Sequence, residues 1–394
     1  MRILGIETSC DETAISLIEV DNAGDTVKIL GNTIHSQIDV HASYGGVFPI
    51  LAKREHQRNL VPVLVKTLKE AGDYNENMDP RSREDDDKTV EMILTREPEL
   101  LVMFNEVLPK IKKPNIDAMS VTFGPGLEPA LWVGINFARA LAVLWNLPLI
   151  PCNHMEGHIL TALIKKETSD YSITKPAFPA LSLLISGGHT QIVLAEKIGS
   201  YKIVGDTRDD AVGECFDKIA RMLDLQYPGG PKISKLAGEA RKENIQSLEP
   251  LPRPMIDSKD LDFSFSGLKT AVLYITKRLA DKGIALDENI KKGICREAED
   301  AIVDVIIAKM RKAIEQYGIE TIIVGGGVIA NKLIRERLEK LAVDCSISLL
   351  LPQFDHATDN GLMIALAGYF NSSKSVDPKL PLKASGILPL GPRA

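Results

Sequence analysis

Cysteine is scarce and unpaired in this chain of 394 residues: Cys10, Cys152, Cys215, Cys295 and Cys345 are odd in number, widely scattered and never in a C-x-x-C pair. That pattern argues against a disulfide framework or a zinc ribbon and reads as reduced, mostly packed thiols. No uninterrupted apolar run is long enough to cross a bilayer, which excludes a membrane-spanning helix. The opening MRILGIETSC runs straight into a strand-like pattern, without a charged leader, an apolar stretch and a small-residue cleavage site; a cytoplasmic protein with no membrane association is expected. No charge of one sign dominates either. Forty-seven basic residues against 53 acidic ones give a net charge of −6, which argues against a protein that coats nucleic acid by electrostatics alone.

What is present is ordinary in bulk and particular in detail. Apolar residues make up 44% and charged residues 25%, globular values, and the length predicts two domains or two lobes. Residues 73–113 hold eleven acids against seven bases, so this segment supplies −4 of the net −6. It begins as a polar loop and then acquires enough apolar residues for a helix or two, which suggests an insertion, either contacting a partner or ornamental. Lys53, Arg54 and Arg58 on one expected helix, and Lys291, Lys292 and Arg296 on another, form basic clusters that read as solvated helix faces.

The two halves of the chain rhyme. RILGIETSCDETAISLIEV places a turn of small polar residues between two strand patterns, and ALSLLISGGHTQIVLAE, residues 180–196, repeats the shape. Further strands and helices follow each hairpin: IDAMSVTFGPG and ALWVGINFARALAVLW in the first half, IETIIVGGGVIANKLIRERL in the second. Short side chains in such turns let backbone N–H groups converge on an anion, so two in tandem predict a nucleotide or phosphoanhydride between facing lobes. The stretch 321–338 predicts a buried strand, three glycines and a helix, with Asn331 just inside it as an arm towards a base or sugar. Its contiguous glycines are neither the G-x-G-x-x-G fingerprint nor a Walker loop.

NHMEGHIL, residues 153–160, spaces His154 and His158 four apart, on one face of a helix, where two imidazoles can share a cation. Glu156 lies two residues from each and points elsewhere. That is not H-E-x-x-H, so protease chemistry loses its main support.

ETSCDET, NHMEGH, SGGHTQ, DDAVGECFDK, YPGGP, DFSFSGLKTAV, GGGVIAN and TDNG occur here in the order in which they occur in the tRNA N6-adenosine threonylcarbamoyltransferases, the bacterial TsaD type, and the chain closely resembles that family nearly end to end. The segment 73–113 is the main departure. The resemblance implies an α/β fold of the duplicated actin, sugar kinase and Hsp70 (ASKHA) kind, with an N-terminal lobe over 1–172, a C-terminal lobe over 173–394 and a cleft between them. It implies transfer of the threonylcarbamoyl group from threonylcarbamoyl-AMP to N6 of adenosine 37 in tRNAs reading codons that begin with adenine, with release of AMP. Implied partners are tRNA, a TsaB-like paralogous subunit and a TsaE-like ATPase; a homodimer stays open.

By the same resemblance His154 and His158 bind one divalent metal, iron(II) ahead of zinc, with Asp359 of ATDNG as third ligand, delivered from the other lobe. Ile185, Ser186, Gly187, Gly188 and His189 would surround the phosphate and carbonyl of the adenylate. Asp217 would meet the ribose, Gly230 would lie beneath the sugar and Asn331 near the base; ATP, ADP or AMP would fit the same pocket. Ser234 stands where some relatives carry an acid, which weakens a second ribose contact. Asp11 and Glu12 are the candidates for proton handling or tRNA positioning, with Lys269 and His189 as alternative charge stabilisers. Cys10 reads as a packed thiol, not a nucleophile. Two other classes are weighed: a small-molecule or sugar kinase of the same fold, and a non-catalytic scaffold subunit.

Overall fold

Both small-residue turns join antiparallel strands in the computed structural model, which describes residues 1–76, 84–168 and 170–393. In the first half, β1 (Arg2–Glu7), β2 (Glu12–Val20) and β3 (Thr26–Ser36) form an antiparallel meander. Helices α1 (Ile38–Ala42), α2 (Pro49–Glu70), α3 (Glu84–Leu94) and α4 (Pro98–Val107) follow. Next come β4 (Ala118–Gly124), α5 (Glu128–Trp145), β5 (Leu149–Asn153), α6 (His154–Thr161) and the short strands β6 (Ile164–Lys166) and β7 (Tyr171–Ile173). β4 pairs in parallel with β1 and with β5, giving a seven-stranded sheet in the order β5-β4-β1-β2-β3-β7-β6.

The second half repeats the plan. β8 (Ala180–Ile185), β9 (Thr190–Lys197) and β10 (Ser200–Asp206) form the meander, then come α7 (Val212–Met222), α8 (Gly229–Lys242), α9 (Ser266–Asp281) and α10 (Glu288–Tyr317). β11 (Thr321–Gly325), α11 (Lys332–Cys345) and β12 (Ser348–Leu350) complete a five-stranded sheet in the order β10-β9-β8-β11-β12, with β11 parallel to β8 and to β12. Position for position this matches β3-β2-β1-β4-β5, so the duplication expected from the sequence is a duplication of topology. Each half buries its own core. One is built around Leu4, Ile15, Phe104, Phe137 and Leu141, the other around Leu183, Phe216, Phe263, Ile302 and Val324.

The last helix, α12 (Gly361–Phe370), does not stay with the second half. The chain divides into a first unit of Met1–His41, Val47–Lys175 and Asp359–Leu390, and a second of Ala42–Gly46, Pro176–Thr358 and Gly391–Ala394. This corrects the expected C-terminal lobe over 173–394. The physical reason is close backbone approach. A Cβ on Gly5 of β1 would overlap Ala365 N and Gly361 O, and one on Gly361 would collide with the backbone at Ile15 and Ser16 of β2. Glycines on strand and helix let α12 lie directly on the sheet, and Ser120 of β4 donates to the Ile364 carbonyl at 2.8 Å.

The glycine-rich stretch also departs from expectation. After β11 the chain takes a short 3-10 turn over Gly327–Ala330, entered through Gly326 at φ +95°, and α11 begins only at Lys332. Within 73–113, Val90, Ile93 and Leu94 of α3 and Leu100 and Phe104 of α4 join the first core; residues 77–83 of that stretch lie outside the described residues. The basic cluster on α2 is neutralised locally: Lys53 pairs with Glu97 at 3.0 Å, and Arg54 and Arg58 with Glu99 at 3.4 and 2.6 Å. The second cluster is likewise engaged, Lys292 with Glu239, Glu243 and Glu288 and Arg296 with Asp300. Among the described residues no helix is long and apolar enough to cross a membrane.

Candidate metal centre and nucleotide pocket

Asn153 starts α6 by accepting from Met155 N at 2.9 Å and Glu156 N at 3.4 Å, an N-cap that fixes where the helix begins. His154 and His158 therefore fall on one face, their rings edge to face with centroids 4.7 Å apart. Asn360 caps α12 in the same way, accepting from Met363 N at 2.9 Å, and so holds Asp359 just ahead of that helix. His154 Nε2 lies 3.6 Å and His158 Nε2 3.1 Å from Asp359 Oδ1. All three ligand atoms lie within 4.8 Å of one another, and all three residues belong to the first unit. The expectation that Asp359 comes from the other lobe is corrected by the docking of α12.

These donors fit a divalent cation. Two ligands bonded at about 2.0–2.2 Å with angles of about 90–110° stand roughly 2.8–3.6 Å apart, and the two histidine-to-Asp359 distances, 3.6 and 3.1 Å, fall in that range. His158 Nε2 is buried and has no hydrogen-bond partner despite its nearness to Asp359, which is the state of a lone pair placed for a metal. Burial disfavours a proton on His154, but the carboxylates of Asp359 and Glu7 overcome it and raise its pKa to about 9. The same surplus of negative charge attracts a metal ion. Glu156 is not part of this set: it is buried, and its Oε2 accepts from Asn371 Nδ2 at 2.9 Å beyond the far end of α12.

The sequence reading missed Glu7. Its carboxylate oxygen Oε2 lies 3.1 Å from His154 Nδ1. Asp11 and Glu12 lie in the same unit. Loss of hydration, then the nearby charges of Asp359 and Asp11, push the Glu12 carboxyl well above the ordinary range. The Cys10 thiol is pushed well up by burial and by Asp11, Asp359 and Glu12, so it stays protonated and is a poor nucleophile.

The predicted nucleotide residues all lie in the second unit. Ser186, Gly187, Gly188 and His189 form the β8–β9 turn, directly after buried Ile185, and Ser186 N donates to His189 O at 2.9 Å. A Cβ on Gly187 or Gly188 would meet nothing within 4 Å, so both glycines present bare backbone. The start of α7 packs against the turn: Gly213 N donates to Ser186 O at 3.3 Å, and Val212 N to Thr190 Oγ1 at 2.9 Å. Asp217 of α7 accepts from Gly229 N at 2.7 Å and so anchors the first turn of α8, which carries Gly230. Asn331 caps α11 through its oxygen and donates its amide to Glu299 at 2.6 Å. Its side chain already has partners on both ends. Lys269 is paired with Asp210 at 2.7 Å.

The family model for TsaD, tRNA N6-adenosine threonylcarbamoyltransferase, matches residues 28–79 and 98–366. The chain belongs to this family. Relatives of that name from Methylobacillus flagellatus and Chromobacterium violaceum are each 40% identical over 368 residues, 93% of this chain and 92% of theirs. Similarity to solved structures is remote: component A of the Acidaminococcus fermentans (R)-2-hydroxyglutaryl-CoA dehydratase is 12% identical, with a TM-score of 0.45 over 95% of this chain and 100% of that one. Residues 80–97, which include α3, lie between the two stretches that match the TsaD model.

Proposed function

We propose that this protein transfers the threonylcarbamoyl group of threonylcarbamoyl-AMP to N6 of adenosine 37 in tRNAs reading codons that begin with adenine, in the cytoplasm, and releases AMP. The observation that carries the reading is the set of His154, His158 and Asp359 donors within 4.8 Å of one another in a member of the TsaD family. Family membership favours transfer over the kinase and scaffold alternatives.

In this reaction the adenosine amine attacks the carbamoyl carbon, the bond from that carbon to the phosphate oxygen breaks, the AMP phosphate carries away the electron pair, and the amine loses a proton. Such a step needs orientation and charge stabilisation more than a covalent nucleophile. Gly187 and Gly188 bring bare backbone to the donor phosphate, and the start of α7 behind them adds its dipole. Asp217 orients the ribose, Gly230 lets the sugar lie close, and Asn331 stands at the base. His154, His158 and Asp359 would hold a divalent metal, iron(II) ahead of zinc(II), which would supply Lewis-acid charge stabilisation there. Glu12, whose carboxyl holds a proton more tightly than usual, and Asp11 beside it manage the amine proton or position the tRNA. A TsaB-like subunit and a TsaE-like ATPase complete the working assembly, and they would supply basic surface that this acidic chain lacks.

Reconstitution tests the proposal. The chain is mixed with threonylcarbamoyl-AMP, tRNA and the two partner proteins, and the tRNA is digested to nucleosides. Threonylcarbamoyladenosine at position 37 is expected; its absence, with the adenylate intact, would favour the kinase or scaffold class.

A further inference from the structure

Glu7, the last residue of β1, is fully buried, and its carboxylate is engaged from three directions. Oε1 accepts from Ser9 N. Oε2 accepts from the Thr122 hydroxyl on the neighbouring strand β4 at 2.5 Å and lies 3.1 Å from His154 Nδ1. Among the described residues His154 is its one ion-pair partner. Among the described residues Ser9 Oγ, also 3.1 Å from His154 Nδ1, is the one other polar atom at that nitrogen.

We propose that Glu7 is a positioning residue for the metal. A carboxylate accepts hydrogen bonds and has none to give, so the hydrogen between Glu7 and His154 sits on Nδ1. In the neutral ring, the form that binds a metal, Nε2 then carries the lone pair, and it is Nε2 that lies near Asp359. A ring with its proton on Nε2 would present a donor where a ligand is needed. Ser9 N and Thr122 Oγ1 hold the carboxylate on the other sides, so the ring is oriented by a group that cannot itself swing away. Charge points the same way. The carboxylates of Asp359 and Glu7 together carry two negative charges, equal to the charge of a divalent cation.

This inference rests on the metal reading above, and the test separates the two. The full chain is stripped with chelator, and its zinc(II) affinity is measured by competition with a chromogenic chelator; cobalt(II) absorption reports the ligand environment. Glu7→Gln is expected to bind zinc(II) about 10- to 100-fold more weakly than the parent and to alter the cobalt(II) bands, with the melting temperature of the metal-free protein maintained. Glu7→Asp keeps the charge on a shorter arm; intermediate affinity is expected, and this variant decides the matter if Glu7→Gln does not fold. A parent that binds no stoichiometric metal, or a His158→Ala variant that binds as tightly as the parent, would remove the metal reading itself. If the parent binds, His158→Ala does not, and the Glu7 variants match the parent in affinity and spectrum, the role of Glu7 alone is overturned.

Discussion

The turn between β1 and β2 and the turn between β8 and β9 occupy the same place in two copies of one topology, yet one is packed and the other open. In the first unit Thr8, Ser9 and Asp11 are buried. The backbone there is tied down on several sides: Leu127 N donates to Ser9 O at 2.7 Å, Gln37 N to Asp11 O at 2.9 Å, and His56 Nε2 to Cys10 O at 3.0 Å. In the second unit Gly187 and Gly188 are exposed and face empty space. The strand path is the same while the side chains differ: one turn is packed beside His154, and the other leaves glycine backbone exposed. The expectation of two tandem small-residue turns between strands holds in the strand path, and of the two only the second presents exposed glycine backbone.

The strongest way to break this contrast is His158→Ala. It should abolish metal binding and lower transfer by about 10³-fold, a loss of the size expected for a Lewis acid, while AMP affinity, measured by calorimetry, stays that of the parent. Equal loss of AMP affinity would show that the labour is not divided between the units. Next in size is Gly5→Ala. With no room between β1 and α12, about 3 kcal/mol of stability should be lost in urea unfolding, and the metal set should loosen with it.

Acid gives an effect of similar size. Burial holds the pKa of His56 down to about 4 against an ordinary 6.5, with the Cys10 carbonyl and Glu7 opposing. The unfolded chain thus binds this proton at a higher pH than the folded one. The stabilisation is complete above pH about 6.5 and is lost as pH falls towards about 4, roughly 3 kcal/mol in all. Urea midpoints across that range check it, and a His56→Gln variant should flatten the profile. The smallest expected effects belong to the open turn. Gly187→Ala should shift stability by less than about 0.5 kcal/mol, because its Cβ enters empty space at an ordinary φ, yet weaken AMP binding about 10-fold.

How far the site was legible from sequence depended on how local its parts are. His154 and His158 announce themselves because four residues on a helix is a geometric statement, and the family resemblance nominated Asp359. Glu7 left no such signal: it lies 147 residues before the histidine it orients, and a lone acid ending a strand looks like many others. The affiliation of α12 was hidden for a different reason. GLMIALAGYF is apolar all round, so its pattern has no preferred face; what directs it is the match of Gly361 and Gly5 across an interface that no periodicity reveals. Asn331, read as an arm towards a base, stands at a helix start and its side-chain oxygen caps α11, a local role that the glycine-rich pattern did not announce. The topological repeat was legible because each hairpin is continuous in sequence.

The return of α12 to the first sheet has a consequence for biogenesis. A ribosome delivers β1 to β7 early, then the whole of the second unit, and only afterwards the helix that lies on β1, β2 and β4 and brings Asp359 to the two histidines. Until that late segment emerges, the nascent N-terminal sheet shows a bare apolar surface and the two histidines lack Asp359, and a truncated polypeptide would expose a sticky face suited to chaperones.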